Sequence, residues 1–166
     1  MMNDALTPND LDIFMQEQGI SGQILFLNSP TPTVEAAAQA VGTSTEQIVK
    51  SILFLVNERL ILAVTCGKAL VDRKAIASLF GVGKKKVKLA SPEVVLRETG
   101  FSVGSMPPFG HRSKLLTLLD QRVLEQPEVF AGGGAENALV KLDPRAILET
   151  TNAQVIDLIR SPEPNR

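Results

Sequence analysis

The sequence predicts an α+β fold in a single domain. Its 166 residues correspond to one domain of ordinary size. Several apolar runs of strand length are separated by short turns and are therefore expected to pair as hairpins, with helices inserted between the pairs. This order differs from that of a doubly wound fold, in which strands and helices alternate regularly.

The first third of the chain is predicted to form helix, strand and helix. Residues 1–9 are expected to fray, and Asp10–Gln18 is a predicted helix because apolar residues recur on one face and a glycine follows. Ile24–Leu27 has the length and apolar character of a short strand. A second helix is predicted to start at Thr31–Thr33, with proline near its first turn, and to run through Val41 until Gly42 ends it. Thr43–Glu46 has the spacing of a capping box and predicts one further helical turn.

The middle third is predicted to contain a β-hairpin followed by two helices. Ile48–Val56 is apolar on both faces, and Leu60–Thr65 follows after a short turn, so the two segments are expected to pair. Val71–Phe80 is a predicted helix, and Val87–Leu89 is a brief strand. Ser91–Gly100 is predicted to be a helix with serine as its cap and proline at its first position.

The last third begins with a loop and continues mostly as strands. Gly104–Gly110 cannot form a helix or a central strand, because two prolines lack amide donors and the glycines favour turns. The apolar runs Leu115–Leu119, Val129–Ala131 and Ala138–Leu142 are predicted strands. A last short helix is expected to begin at Asp143–Pro144, where aspartate is the cap.

The composition excludes several classes of protein. With 44% apolar and 21% charged residues, the chain is typical of a soluble globular protein and not of a disordered or collagen-like one. One cysteine, Cys66, excludes an internal disulfide framework and a multi-cysteine zinc site, and one histidine, His111, excludes a mechanism that needs two. No run approaches the roughly 20 apolar residues of a membrane span. The acidic N-terminus lacks the basic region of a signal peptide, so a cytoplasmic protein is expected.

Positive charge is concentrated in one segment, although the net charge is −1. Residues 68–88 contain seven lysines and arginines and one acid. Such a local surplus can bind a phosphate backbone. The candidate contacts are Lys84, Lys85, Lys86 and Lys88. The alternative is a solvated helix face followed by a basic turn.

Lys50 is the most anomalous residue of the sequence. Strand alternation places it on the same face as Ile48, Ile52 and Phe54, where an ammonium group is costly unless it is paired, neutralised or able to reach water. A functional cation is one interpretation. The alternative is a lysine at the strand entry whose head extends into solvent.

Two glycine-containing loops could bring backbone groups close to a ligand. The loop Gly104–Gly110 is stiffened by proline and could hold amides as an oxyanion hole, although a rigid surface turn would have the same composition. Gly132–Gly134 would allow close approach of a ligand, but it matches neither the P-loop nor the dinucleotide-binding pattern. Cys66 and His111 are a further candidate pair of nucleophile and base, although no third orienting group is evident.

Several of these segments together resemble a known family. They are Gln47–Phe54, the helix start Ala90–Glu93, the run Gly100–Gly110 and Ala131–Gly132, in that order. Over roughly residues 20–160, the chain resembles the YbaK/ProX aminoacyl-tRNA deacylases, relatives of the editing domain of bacterial prolyl-tRNA synthetase. The resemblance implies a curved, mixed and mostly antiparallel β-sheet, barrel-like and surrounded by helices. It divides the chain into a helical lead-in (1–20), an editing domain (21–160) and a polar tail (161–166).

The resemblance also implies a trans-editing reaction. Such enzymes hydrolyse the ester that joins a wrong amino acid to the 3′-terminal adenosine of a tRNA, here alanine or another small amino acid on tRNA for proline. Water, helped by a ribose hydroxyl, is the implied nucleophile, and no cofactor or metal is expected. Aminoacyl-tRNA is the implied partner, with a prolyl-tRNA synthetase as a further one.

Residue roles follow from the same resemblance. Lys50 would hold the phosphate or ribose of the terminal nucleotide, and the Gly104 backbone would grip the aminoacyl carbonyl or the water. The implied substrate-binding residues are Pro107, Pro108, Phe109, Gly110, His111, Gly132 and Gly133, and the implied tRNA contacts are Lys84, Lys85, Lys86 and Lys88. Phe130 stands where the cysteine-clearing branch has a small hydroxyl residue, and its ring is expected to narrow the pocket.

Two other functions are compatible with the same residues. The first is a non-catalytic module that binds tRNA ends or a synthetase through the basic segment. The second is a hydrolase of small esters or thioesters that uses the same pocket without tRNA. Turnover of mischarged tRNA distinguishes the editing function from the first, and a strong preference for tRNA-linked over free esters distinguishes it from the second.

Overall fold

The structure is a computed structural model and describes residues 4–160, within which it confirms the α+β class. The helices are α1 (Pro8–Gln18), α2 (Val34–Val41), α3 (Arg73–Phe80), α4 (Pro92–Thr99) and α5 (Pro144–Thr151). The strands are β1 (Gln23–Phe26), β2 (Val49–Val56), β3 (Arg59–Cys66), β4 (Val87–Leu89), β5 (Leu116–Asp120), β6 (Val129–Gly132), β7 (Ala138–Leu142) and β8 (Gln154–Ile156). The predicted polar tail, residues 161–166, lies outside the described residues, as do residues 1–3.

The strands form two sheets that do not close into a barrel. A three-stranded antiparallel sheet has the order β1-β7-β6, and a five-stranded mixed sheet has the order β4-β2-β3-β5-β8. In the larger sheet, β4, β2 and β3 are antiparallel, whereas β3, β5 and β8 are parallel. Within the described residues, an isolated bridge between Ile48 and Phe130 joins the two sheets. The predicted mixed, mostly antiparallel arrangement is confirmed, and it remains open.

The central hairpin positions Lys50. Strands β2 and β3 pair along their whole length, and the two residues between them, Asn57 and Glu58, have positive φ values of 50° and 70°. Two-residue hairpin loops favour this conformation because its twist matches that of the strands. The register places Lys50 at the second position of β2, opposite Thr65 of β3.

Helix α1 begins earlier than predicted. The Thr7 hydroxyl accepts a hydrogen bond from the Asp10 amide, and the Asp10 carboxylate accepts one from the Thr7 amide at 2.8 Å, which together form a capping box. The prediction of fraying up to residue 9 is therefore wrong at this end. The capping box predicted at Thr43–Glu46 is also wrong, because the 3-10 helix Thr45–Gln47 that forms there has no side-chain cap.

The buried side chains occupy three layers. The main core lies between the two sheets and includes Leu11 and Met15, so the helical lead-in packs as part of the same unit. Helix α3 covers the other face of the five-stranded sheet, and α2 packs on the three-stranded sheet. No helix within residues 4–160 has the length and apolar character needed to cross a membrane.

The short strand β8 was not predicted. The buried carboxylate of Asp120, at the end of β5, accepts hydrogen bonds from the amides of Leu158 and Arg122, at 2.7 and 2.9 Å. The Arg122 guanidinium pairs with Asp120 and Asp157. These contacts fasten the C-terminal segment along β5, and a pattern of local apolar residues does not reveal them.

Candidate active site

A largely apolar cavity of about 410 Å³ opens between the two sheets. Its walls are the first half of β2, the ends of β4, β6 and β7, the loop after α4, and the first residues of α2 and α4. The polar or charged residues on these walls are Thr31, Thr33, Lys50, Ser51 and Glu136.

Lys50 lies on the cavity wall without a carboxylate partner. All residues from Ile48 to Leu53 line the cavity with it, so the lining does not follow strand alternation, and Phe54 packs under α3. No acidic group of residues 4–160 lies within salt-bridge distance of its ammonium. Burial lowers the pKa of Lys50, and the negative charge of Glu35 only partly offsets this effect. A desolvated cation without a paired anion is well suited to receive an anion from a ligand.

The first half of the predicted loop supplies backbone donors to the same cavity. Gly104 has a φ of 89°, which glycine adopts readily, and both Gly104 and Met106 line the wall. Neither amide donates a hydrogen bond to another group of residues 4–160. Amides without a partner on the wall of a cavity that also holds a cation are candidates to bind and polarise a carbonyl oxygen.

Gly132 lines the cavity, and the structure shows why a glycine is needed there. A Cβ atom at this position would lie 2.5 Å from the Met106 carbonyl oxygen and 2.8 Å from that of Ser105. The end of β6 therefore packs directly against the loop. The Gly134 amide strengthens this contact by donating to the Ser105 carbonyl at 2.9 Å. Gly133 does not line the cavity, because it packs against the Ala138 backbone.

The second half of the loop turns away from the cavity. None of Pro107, Pro108, Phe109, Gly110 and His111 lines it. The last four instead border a separate cavity of about 250 Å³. Phe109 stacks on Phe14 with ring centroids 5.7 Å apart. The sequence pattern does not distinguish the two halves of the loop, so direct substrate contact by these five residues stays a prediction, while their observed role is packing.

His111 braces the loop. Its Nε2 atom donates a hydrogen bond to the Pro107 carbonyl at 2.8 Å, and its ring meets the edge of Phe101. Burial lowers the pKa of His111 more than this hydrogen bond raises it, so the ring is neutral at pH 7. Burial also raises the pKa of Cys66 to about 11, which keeps its thiol protonated. A thiolate–histidine pair is therefore not supported.

Of the candidate tRNA contacts, Lys88 lies nearest the cavity, whereas Lys84–Lys86 lie beside the turn between β2 and β3, where the Lys86 carbonyl accepts a hydrogen bond from the Asn57 amide. Lys84–Lys86 form an exposed 3-10 helix, and Lys88 is exposed on β4, an edge strand of the larger sheet. The next residue, Leu89, lines the cavity and is 55% exposed. A polyanion bound along this segment would therefore have its end close to the cavity.

Phe130 does not narrow the cavity, contrary to the expectation from sequence. Its ring is buried beneath α2 with Ala37, Ala38, Ile48 and Leu139, and it is absent from the cavity wall. Phe130 shares a strand face with Gly132 but lies two residues earlier, about 7 Å along β6. The size of this side chain therefore does not by itself exclude cysteine from the pocket.

Four polar residues on the wall were missed in the sequence: Thr31, Thr33, Ser51 and Glu136. The Ser51 hydroxyl is buried and has no hydrogen-bond partner within residues 4–160. Glu136 follows the glycine run, a position that indicates a loop but gives no sign that the loop borders a cavity. In the same part of the chain, no group of three His, Cys, Asp or Glu side chains is arranged to hold a metal ion.

Comparison with known proteins decides the family. Residues 28–150 match the family model of the aminoacyl-tRNA editing domain. The chain belongs to this family. The resemblance to YbaK-type editing domains inferred from the sequence is thereby confirmed.

Three relatives of this editing domain are informative. The uncharacterized protein YwhH of Bacillus subtilis (strain 168) is 33% identical over 124 residues, 74% of this chain and 77% of that protein. A candidate Cys-tRNA(Pro)/Cys-tRNA(Cys) deacylase of Enterococcus faecalis, EbsC, is 25% identical over 127 residues, 76% of each chain. The crystal structure of a candidate trans-editing enzyme for prolyl-tRNA synthetase superposes with a TM-score of 0.86 at 35% identity, covering 93% of this chain and 97% of that one.

Proposed function

We propose that this editing domain is a deacylase that acts in trans on mischarged aminoacyl-tRNA. One observation carries the proposal: one apolar cavity is lined by Lys50, whose ammonium has no ion-pair partner within residues 4–160, and by Gly104 and Met106, whose amides donate no hydrogen bond within that range. An aminoacyl-adenosine end offers a phosphate or ribose to the cation and an ester carbonyl to the amides. Membership of the aminoacyl-tRNA editing family supports this assignment.

The reaction is the hydrolysis of the ester at the 3′-terminal adenosine. Lys50 holds the terminal phosphate or ribose, and the loop amides stabilise the negative charge that develops on the carbonyl oxygen. Water adds to the carbonyl carbon and gives up a proton, which the neighbouring ribose hydroxyl relays. The bond between the carbonyl carbon and the ester oxygen of the ribose then breaks. The ribose oxygen takes up the proton, which releases a free amino acid and an uncharged tRNA.

The substrate that we propose is a small amino acid, with alanine first, attached to tRNA for proline. The cavity is small and mostly apolar, which fits a short aliphatic side chain. A synthetase rejects a smaller amino acid poorly, because one methylene group is worth only about 1–3 kcal/mol, and a second hydrolytic site solves that problem. The likeness to a candidate trans-editing enzyme for prolyl-tRNA synthetase supports this tRNA and suggests that synthetase as a partner.

The test is a panel of mischarged tRNAs. Purified protein is incubated with tRNA for proline carrying alanine, cysteine, serine or proline, with and without prolyl-tRNA synthetase, and ester loss is followed. We expect rapid loss of alanine and slow loss of proline. If no member of the panel is hydrolysed, or if free aminoacyl esters are hydrolysed as fast, the proposal is refuted.

Substitution of Lys50 tests its role in the same assay. Lys50→Ala should lower kcat/KM by about a hundredfold, because a desolvated charge contact with the substrate is lost. Lys114→Ala is the matched control, since this exposed lysine does not line the cavity. Undiminished turnover by the Lys50 variant would remove the basis of the site.

A further inference from the structure

Among the residues that line the cavity, Lys50 is the one basic side chain and Glu136 the one acidic side chain. They come from different sheets: Lys50 from β2 of the larger sheet, and Glu136 from the turn that joins β6 and β7 of the smaller one. The Glu136 carboxylate forms no ion pair within residues 4–160. The cavity thus has one positive and one negative group, each without a protein partner in that range.

The backbone around Glu136 is held in place. Its carbonyl oxygen accepts a hydrogen bond from the Thr31 amide at 3.1 Å. The next residue, Asn137, accepts one from the Leu27 amide at 2.7 Å and returns one from its side chain to the Leu27 carbonyl at 3.3 Å. These contacts fix where the exposed Glu136 side chain starts, at the rim of the cavity, while the side chain itself stays free to turn towards a ligand.

The proposed substrate carries a positive charge next to the reacting carbonyl group. An aminoacyl ester carries its α-ammonium group one carbon away from the carbonyl, whereas the phosphate lies on the nucleotide side. Lys50 suits the anionic side of this dipole, and Glu136 suits the cationic side. Lys50 and Glu136 do not pair with each other, so both groups are available to the ligand.

We propose that Glu136 binds the α-ammonium group of the aminoacyl moiety and thereby restricts hydrolysis to aminoacyl-tRNAs with a free amino group. Esters whose nitrogen is acylated, as in N-formylated aminoacyl-tRNA or peptidyl-tRNA, lack this charge and are spared. This inference rests on the proposed deacylase function and adds to it a specificity that the side-chain pocket alone does not provide.

The test compares a free and a blocked substrate. Alanyl-tRNA for proline and its N-acetyl derivative are assayed at about pH 6.5, where most α-amino groups are protonated. Wild-type protein should prefer the free substrate by about tenfold or more, the size expected for a charged hydrogen bond. Glu136→Gln should lower kcat/KM for the free substrate by about tenfold and leave that for the blocked substrate unchanged. Glu149→Gln, an exposed glutamate on α5, is the control and should change neither.

Other results would overturn the inference. If Glu136→Gln lowers kcat/KM equally for the free and the blocked substrate, Glu136 acts through Lys50 or the fold. If it lowers kcat/KM for neither substrate, Glu136 does not contact the ammonium. If wild-type protein hydrolyses neither substrate, the deacylase proposal fails separately. Binding of a non-hydrolysable 3′-alanylamido-adenosine, with and without N-acetylation, then decides: tighter binding of the free amine that depends on Glu136 supports its role, and equal binding refutes it.

Discussion

At Gly132, the absence of a side chain is a packing requirement as much as a binding feature. The residue lies where the end of β6 meets the backbone of Ser105 and Met106. The sequence indicated a permissive glycine and the resemblance implied a wall residue. The contact with the loop explains both, because the same residue borders the cavity and sets the position of the loop amides.

Gly132→Ala should therefore destabilise the protein by about 1–3 kcal/mol, the range for overpacking. It should also lower kcat, because the loop must shift away from the new methyl group. Gly83→Ala is the matched control, since a Cβ there meets nothing within 4 Å and its φ is −74°. Denaturant unfolding of both variants measures the difference. Equal stability of the two would show that the loop yields without cost.

Lys50 could be found from sequence, whereas Glu136 could not. A lysine in an apolar strand conflicts with its surroundings, and the period of two residues per repeat assigns its face. Glu136 and the amides of Gly104 and Met106 lie in loops, where no periodicity fixes direction. Their convergence depends on how two sheets meet, which is a long-range property of the chain.

At the scale of elements, the loop between α4 and β5 has two functions. Its first half faces the cavity, and its second half is anchored by His111 and by the stacking of Phe109 on Phe14. The two prolines stiffen the anchored half, as the sequence predicts, and their contact with substrate stays a prediction. The prediction that the loop is neither helix nor strand is confirmed. The orientation of its two halves could not be predicted, because it depends on the packing of α1 against the loop.

The His111 anchor makes stability depend on pH. The pKa of His111 is lowered in the folded state from its ordinary value of 6.5. As the pH falls towards that value, the unfolded chain therefore binds more protons than the folded protein. The contribution of the neutral ring to the free energy of unfolding is full above about pH 6.5 and declines as the pH falls. The total decline is up to about 1.4 kcal/mol for each unit by which folding lowers the pKa of His111.

His111→Gln should remove this dependence. Urea unfolding at about pH 7.5 and pH 5.5, on either side of the ordinary histidine pKa, should show that the wild type loses more stability on acidification than the variant does. The carboxylates are the same in both proteins, and no other histidine is present. The difference in pH dependence between the two proteins therefore reports His111. Parallel losses in the two proteins would contradict the assigned anchor.

Prediction of the elements from sequence succeeded where the signal was local. The hairpin β2–β3 and the ends of four helices at glycines followed from turn and capping chemistry. The strand β8 was missed, because its three residues are mostly exposed and it is held by the buried carboxylate of Asp120. Such a contact joins residues far apart in the chain and leaves no periodic pattern.

At the scale of the whole molecule, charge is arranged in a direction that matches the proposed substrate. The basic segment leads along an edge strand to the cavity mouth, and Lys50 continues the positive charge inside. The near-zero net charge of the chain conceals this arrangement. A tRNA bound through its backbone would therefore show strong dependence on salt.

Charge reversal on the basic segment tests this arrangement. Lys84→Glu combined with Lys86→Glu should weaken tRNA binding and reduce the slope of log Kd against log salt by roughly 1–2. The control combines Lys114→Glu with Arg145→Glu, which changes the net charge equally on residues that do not line the cavity. Fluorescence anisotropy between about 50 and 200 mM salt measures the slopes. Equal slopes for the two double variants would show that the segment does not contact tRNA.

The isolated bridge between Ile48 and Phe130 has a consequence for how such a domain can diversify. Each sheet is held by its own ladder of hydrogen bonds, so a change in the angle between the sheets breaks neither ladder and requires only that the core between them repacks. The cavity lies in the wedge between them, and its width follows that angle. Substitutions of Phe130, which lies beneath α2 and does not line the cavity, can therefore alter which amino acid is accepted, and related domains can acquire new specificities while their reacting groups stay the same.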